Sequence, residues 1–325
     1  MRNKRRQRVF LICMALLLVV GAVLFFVFRD KEESYSSDYE ENKSDNVVQY
    51  NGKEYEYNEH LSNYLFMGID TREPITEYET RGEAGRADAI FLLSYDRVEK
   101  TVMCISIPRD TMTNVRMVAP DGTDLGKSVE HINMQYVFGD GKDESCRLMK
   151  ETVSDLLYGV PIQGYCSLNM DGIAVVVDVL GGVELIVPDN SLEEVNPEFQ
   201  EGATVTITKE NAEEFVRHRD TNLSQSAITR TNRQKVLLKA LSEQAKEQSS
   251  DNMDLIVDMY DALQPYMYTN IGNDIFADLL SATFDSEKGI RDIPGEGVAG
   301  ELHDEYHIDE TQLYELVLQM FYKEV

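Results

Sequence analysis

The strongest pattern in the chain is an unbroken apolar run at residues 9–28, VFLICMALLLVVGAVLFFVF, with no charge and no proline. As a helix rising about 1.5 Å per residue it spans roughly 30 Å, the hydrocarbon thickness of a bilayer. Arg2, Lys4, Arg5, Arg6 and Arg8 precede it, while Arg29, Asp30, Lys31, Glu32 and Glu33 follow it, so the basic excess lies on the N-terminal side. The positive-inside rule then makes residues 1–8 a cytoplasmic tail and puts the remainder outside the cytoplasm. A cleaved signal peptide is the competing reading, but its apolar core is shorter and ends at small residues. Here Phe25, Phe26 and Phe28 close the run, so it is read as an uncleaved transmembrane anchor.

Beyond the anchor the pattern changes three times. Residues 29–46 are acidic, serine-rich and nearly free of aliphatics, the composition of a disordered stalk. Residues 47–60 begin with alternation around Asn51-Gly52, which predicts a β-hairpin lead-in. From residue 61 an α/β rhythm follows. YLFMGI at 64–69, AIFLLSY at 89–95 and TVMCISI at 101–107 are apolar on both faces, as strands inside a covered sheet must be. Helices are predicted over 145–158, 170–180 with Gly181-Gly182 as the stop, 209–218 with Thr208 as N-cap, and 228–248. A strand is expected at 183–187. Residues 246–325 read as a helical C-terminal extension, with helices over 253–263, 274–284 and 311–322 and a glycine-rich loop, GEGVAG, between the last two.

Charge narrows the function classes. The chain carries 31 Lys/Arg against 58 Asp/Glu, and six of those basic residues lie within residues 1–29. The rest is therefore strongly acidic and suits no nucleic-acid partner. Cysteine is nearly silent. Cys104 lies in a strand-like run and reads as a buried thiol, and a Cys146–Cys166 disulfide is an open alternative to two free thiols.

In so acidic a chain, clustered arginines need a local reason. Asp70-Thr71-Arg72 follows the first strand, Arg86-Ala87-Asp88 leads into the second, and Arg109-Asp110 follows the third. Ligand sites in α/β sheets gather outside strand ends. Arg217 and Arg219 close one predicted helix, and Arg230, Arg233 and Gln234 share one face of the next, in a stripe continued by Leu237 and Leu241. Arginines on a packed face need anionic partners, either the protein's own carboxylates or a phosphate gripped by guanidinium forks. Asp70 and Asp88 are hard oxygen donors suited to Mg²⁺, with Mn²⁺ an alternative. Arg86, Arg109, Arg217, Arg219 and Arg230 could then surround a pyrophosphate, and either Asp70 or Asp110 could orient an attacking hydroxyl.

The ordered motifs YLFMGIDTR, GRADAIFLLSYD, SIPRDT, VRHR and RTNRQ, with HINMQYVFGDG and VVDVLGGVELIVPD between, resemble the LytR-CpsA-Psr family over about residues 61–245. The resemblance implies a mixed central β-sheet flanked by helices, an αβα sandwich, behind one transmembrane helix in a Gram-positive-type cell membrane. It implies an Mg²⁺-dependent phosphotransferase that moves a glycopolymer from an undecaprenyl-pyrophosphate carrier to a peptidoglycan sugar hydroxyl. Mg²⁺ is then expected on Asp70 and Asp88. Pyrophosphate is expected on Arg86, Arg109, Arg217, Arg219 and Arg230, beside Gln234, with the polyprenyl tail in an apolar tunnel. One departure stands out: Ala227 occupies a place where the family often has an aspartate, so another acid such as Asp220 must serve or activity is weakened. Some relatives also have a lysine just after the arginine matching Arg109, and none follows here.

Two alternatives keep the same arginines: a non-catalytic module that holds a polyprenyl pyrophosphate, and a lipid pyrophosphatase. His303 and His307 mimic a zinc-protease spacing, but Glu305 is one place off that pattern.

Overall fold

The computed structural model describes residues 47–72, 75–218, 226–251, 254–285, 287–300 and 303–325. The predicted tail, anchor and stalk lie outside the described residues, and among those described no helix is long and apolar enough to cross a membrane. The chain divides into two compact units, 1–54 and 55–325. In the first, β1 (Val47–Tyr50) enters the expected turn. Asn51 and Gly52 both have positive φ, 52° and 76°, as a type I′ turn requires, and β2 (Lys53–Tyr57) begins here, its residues 55–57 belonging to the second unit.

The second unit is built on a mixed sheet. β3 (Leu61–Ile69), β4 (Ala87–Asp96) and β5 (Thr101–Ser106) are the three predicted strands. A two-stranded arm, β6 (Met112–Val118) and β7 (Asp124–His131), comes next, then α1 (Met134–Val137) and α2 (Asp143–Leu156). β8 (Gly164–Asn169) leads into α3 (Met170–Val179), whose N-cap Asn169 accepts a bond from the Gly172 N–H. β9 (Val183–Ile186) and β10 (Thr204–Ile207) pair apart from the main sheet. α4 (Ala212–Arg217) and α5 (Ser226–Asp251) carry the arginines.

The remainder alternates α6 (Asp254–Leu263), β11 (Met267–Thr269), α7 (Asn273–Ser281), β12 (Thr283–Phe284), β13 (Ile290–Asp292), β14 (Gly295–Ala299), β15 (Asp304–Ile308), α8 (Glu310–Phe321) and β16 (Tyr322–Glu324). The central order is β11-β8-β3-β4-β5-β12, with β13 also on β5. β8 is parallel to β3, β4 is antiparallel to both β3 and β5, and β12 and β13 are parallel to β5.

Alternation along the strands explains the two layers of helices. Leu65, Met67 and Ile69 of β3, with Ile90 and Leu92 of β4, face one core with α2 and α8. Tyr64, Phe66, Leu93 and Tyr95 face the other, packed against α5, α6 and α7. Cys146 belongs to the first core and Cys166 to the second, so the two thiols are buried on different faces and remain free. Burial pushes the Cys166 thiol up to about 12.

Four expectations are corrected. The helix expected from 209 begins at Ala212, because Asn211 Oδ1 accepts the Thr208 N–H (2.8 Å) and holds 208–211 as a turn. The helix expected over 274–284 stops at Ser281, and Thr283–Phe284 join the edge of β5. The region 246–325 is not a helical appendage: it supplies β11, β12 and β13 to the central sheet, and its boundary at 245/246 falls inside α5. GEGVAG is mostly strand β14, paired with β15, which takes His307 out of any helical spacing.

Candidate functional site

The register brings the predicted clusters together. β3, β5 and β8 run the same way, so residues following β3 and β5 meet at one end of the sheet, beside the start of β4. The Asp70 N–H donates to the Arg86 carbonyl (2.9 Å), and the Ile107 N–H donates to the Ile90 carbonyl (3.0 Å). That pairing carries Arg109 level with Asp88.

Asp88 is the hub. Its Oδ1 accepts from Arg109 Nη1 at 2.7 Å, and its Oδ2 lies 3.5 Å from Arg230 Nη1. Asp110 adds an oxygen 3.2 Å from Arg109 Nε. Burial alone would lower the Arg109 pKa, but Asp88, Asp110 and Asp70 outweigh it and hold the guanidinium above its ordinary value. An outer ring continues the cluster. Arg217 lies 3.1 Å from both Asp70 and Glu213, and Glu213 also binds Arg72. Burial works against ionisation of Glu213, yet its bonds from Arg217 and Arg72 leave its carboxyl below the usual range. Asp70, Asp88, Arg109, Asp110, Arg217 and Arg230 therefore converge as expected. Arg86 is exposed near the cluster. Arg219 and Asp220 lie outside the described residues.

Arg233 does something else. Its side chain is 1% exposed and donates to the carbonyl of Phe215 (2.8 Å), the carbonyl of His218 and the hydroxyl of Ser191. It ties the C-terminal end of α4 to α5 and so positions Arg217. Burial drags its pKa below the ordinary arginine value, against a weak opposing pull from Asp189. Gln234 donates to the Val216 carbonyl (3.3 Å), and its buried Oε1 has no hydrogen-bond partner among the described residues.

Glu213, Arg72 and Asn133 were not singled out as site residues from sequence. Glu213 had a signal, since it stands four residues before Arg217 on a helix. Asn133 had none: it is 3% exposed, its N–H donates to the Arg109 carbonyl (3.2 Å), and its carbonyl accepts from Ala87 (3.4 Å).

An apolar cavity of about 260 Å³ adjoins this cluster, between one face of β3, β4 and β8 and helices α3, α5, α6 and α7. Phe66, Leu168, Val176, Leu241, Leu263 and Phe276 are among its walls. Gly68 and Ala89 also line it, each within two residues of a site aspartate. A side chain at Gly68 would press on Ala89, its Cβ coming 3.1 Å from that of Ala89.

As for a metal, no group of three or more His, Cys, Asp or Glu suited to one occurs among the described residues. Asp70 and Asp88 nonetheless sit on neighbouring strand ends, and their donor set fits Mg²⁺, which takes one or two carboxylates and draws the rest from phosphate and water.

Fold and site together define an α/β protein in which arginines paired to carboxylates stand beside an apolar cavity. Residues 23–320 match the LytR_cpsA_psr family. The chain belongs to the LytR-CpsA-Psr family. Its relatives include the polyisoprenyl-teichoic acid–peptidoglycan teichoic acid transferase TagV of Bacillus subtilis (strain 168), 30% identical over 260 residues, which are 77% of this chain and 60% of that protein. TagU of Halalkalibacterium halodurans, named for the same transfer, is 32% identical over 188 residues, 57% of this chain and 54% of that protein. The chain thus spans little more than half the length of these curated relatives. The crystal structure of B. subtilis TagV superposes with a TM-score of 0.59 at 27% identity, covering 81% of this chain and 97% of that one. TagT bound to LI-WTA shares the fold, with a TM-score of 0.58 at 21% identity over 80% and 90% of the two chains.

Proposed function

We propose that the protein is a membrane-anchored transferase that moves a glycopolymer from a polyprenyl-pyrophosphate carrier to a peptidoglycan sugar hydroxyl, outside the cytoplasm. One observation carries this reading: the cluster of Arg109, Arg217 and Arg230 stands beside an apolar cavity. A substrate with a charged middle and a hydrocarbon tail matches both features.

The acceptor oxygen attacks the phosphorus that bears the glycan. A new P–O bond forms as the bond from that phosphorus to the bridging oxygen breaks, and polyprenyl phosphate leaves with that oxygen. A glycan–peptidoglycan phosphodiester remains. Arg109, Arg217 and Arg230 oppose the charge gathering on the leaving phosphate, the main lever in phosphoryl transfer. The hydroxyl proton goes to a carboxylate of the cluster. Asp70, with 41% of its side chain exposed against 17% for Asp88 and 11% for Asp110, is the most open of the three to a sugar hydroxyl. Mg²⁺ held by Asp70 and Asp88 would add positive charge at the phosphate oxygens.

The test incubates the full chain in detergent with Mg²⁺, a polyprenyl-pyrophosphate-linked glycan and a peptidoglycan oligomer. A joined product that disappears in Arg109→Ala is expected. Release of glycan phosphate without joining would instead indicate a pyrophosphatase, and tight binding without turnover a non-catalytic module.

A further inference from the structure

Asn133 stands where the two site strands part. β4 and β5 keep ladder register only as far as Phe91 and Ser106. β4 is also bulged at Asp88, the extra residue between Ala89, opposite Gly68, and Ala87, opposite Ile69. Asn133 fills the gap that opens beyond. Its N–H donates to the Arg109 carbonyl (3.2 Å), and its carbonyl accepts the Ala87 N–H (3.4 Å). Its backbone thus lies between Arg109 and the residue before Asp88.

The side chain lacks the ordinary reason for its place. Asn133 precedes α1, where an asparagine usually caps the helix. Here its φ of −62° and ψ of −22° are already helical, and its side chain makes no capping bond. The residue is 3% exposed, and its Oδ1 is buried without a hydrogen-bond partner among the described residues. A buried polar group left unmatched is costly, and folds keep few of them. The residue bonded to its backbone holds a second such atom. Arg109 Nε is buried, and although Asp110 Oδ1 lies 3.2 Å away, the Nε–H makes no hydrogen bond to it. One of the two unmatched atoms accepts and the other donates.

We infer that Asn133 is a positioning residue for Arg109: its carboxamide oxygen takes the Arg109 Nε–H when a phosphate draws the guanidinium away from Asp88 and Asp110. With no anion bound, the two carboxylates hold Arg109, and Nε and Oδ1 stay unbonded. A phosphate that captures the outer nitrogens leaves the inner one to be fixed from behind. A neutral amide suits that task, because a third carboxylate would hold the guanidinium against the phosphate and repel the phosphate as well. This role rests on reading the arginines as a pyrophosphate site and adds the group that holds one of them in its working position.

The test follows melting and pyrophosphate binding of the full chain in detergent with Mg²⁺, for the wild type, N133A, N133D, R109K and R109K/N133A. Without pyrophosphate, N133A should melt no lower than the wild type, since it deletes an atom that nothing satisfies. Pyrophosphate should bind N133A about tenfold more weakly than the wild type. N133D keeps the shape of the side chain and should bind it more weakly still. R109K has no Nε–H, so adding N133A to it should change the affinity little. Wild-type affinity in N133A or N133D would overturn the inference. So would a lowered melt of N133A with unchanged affinity, which would mean a packing role. A full tenfold loss from N133A in the R109K background would also overturn it, because the carboxamide would then touch the anion itself. A wild type that binds no pyrophosphate would remove the anion site and this role with it. One that binds pyrophosphate but joins no glycan to peptidoglycan would sink the transferase reading alone.

Discussion

Arg109, just past the end of β5, and Asp88, on the neighbouring β4, meet at 2.7 Å, and the second oxygen of the same carboxylate faces Arg230 at 3.5 Å. Asp88 is mostly buried, so two guanidinium groups lean on one carboxylate. In Asp88→Asn their repulsion is no longer balanced. The variant should melt below the wild type, and added pyrophosphate should raise its melting temperature more than it raises that of the wild type. Transfer should fall by about 100-fold or more. Equal stabilisation of both proteins by pyrophosphate would show that Asp88 does not organise the arginines.

Arg233 and Arg217 separate structure from chemistry. Arg233→Met leaves buried carbonyls at Phe215 and His218 without their donor, and should cost about 3 kcal/mol in a denaturant melt. Arg217→Ala removes a half-exposed side chain and should leave the melt nearly unchanged while turnover collapses. The reverse pattern would reassign both residues.

Glu213 gives the outer ring a pH signature. Its folded pKa is depressed by Arg217 and Arg72, so its contribution to stability is complete above the unfolded value of 4.5 and is lost as pH falls below that toward the folded value. Glu213→Gln should therefore be less stable than the wild type at neutral pH, with the difference closing in acid. Melting curves taken between about pH 3 and about pH 7 check this. A difference that persists at the acid end would point to lost packing instead.

The cavity wall can be tested by chain length. Leu241→Trp would fill some of the apolar space. Each methylene kept out of it forfeits about 0.8 kcal/mol, so losing two costs roughly tenfold in affinity. The KM for a long polyprenyl donor should rise by at least that factor, while a donor with a very short tail should be little affected. Equal effects on both donors would place the tail elsewhere.

Much of this was legible in sequence, and the features that were not share a cause. β3, β4 and β5 could be read because burial on both faces leaves a continuous apolar run. The arginines could be read because they contrast with an acidic background, and the aspartates because they stand beside arginines at strand ends. β11, β12 and β13 are two or three residues long and owe their conformation to β8 and β5 beside them. No periodicity can register in so short a segment, and the tertiary edge decides it. Arg233 looked like its neighbour Arg230 because both are arginines on one helix. Only the packing of α4 against α5 shows that one serves a carboxylate and the other serves carbonyls. Asn133 joins the site through its backbone, which leaves no trace in residue type.

The last strand of the fold has a mechanical meaning. β16 lies antiparallel to β2, with Tyr322 opposite Tyr57 and Glu324 opposite Tyr55. A pull applied between Tyr55 and Glu324 therefore loads the same end of this short ladder. Its rungs break in succession rather than together, the weak direction for a pair of strands. Under tension the unit would unzip there first, and the central sheet with its arginines would not feel the load until that seam had opened.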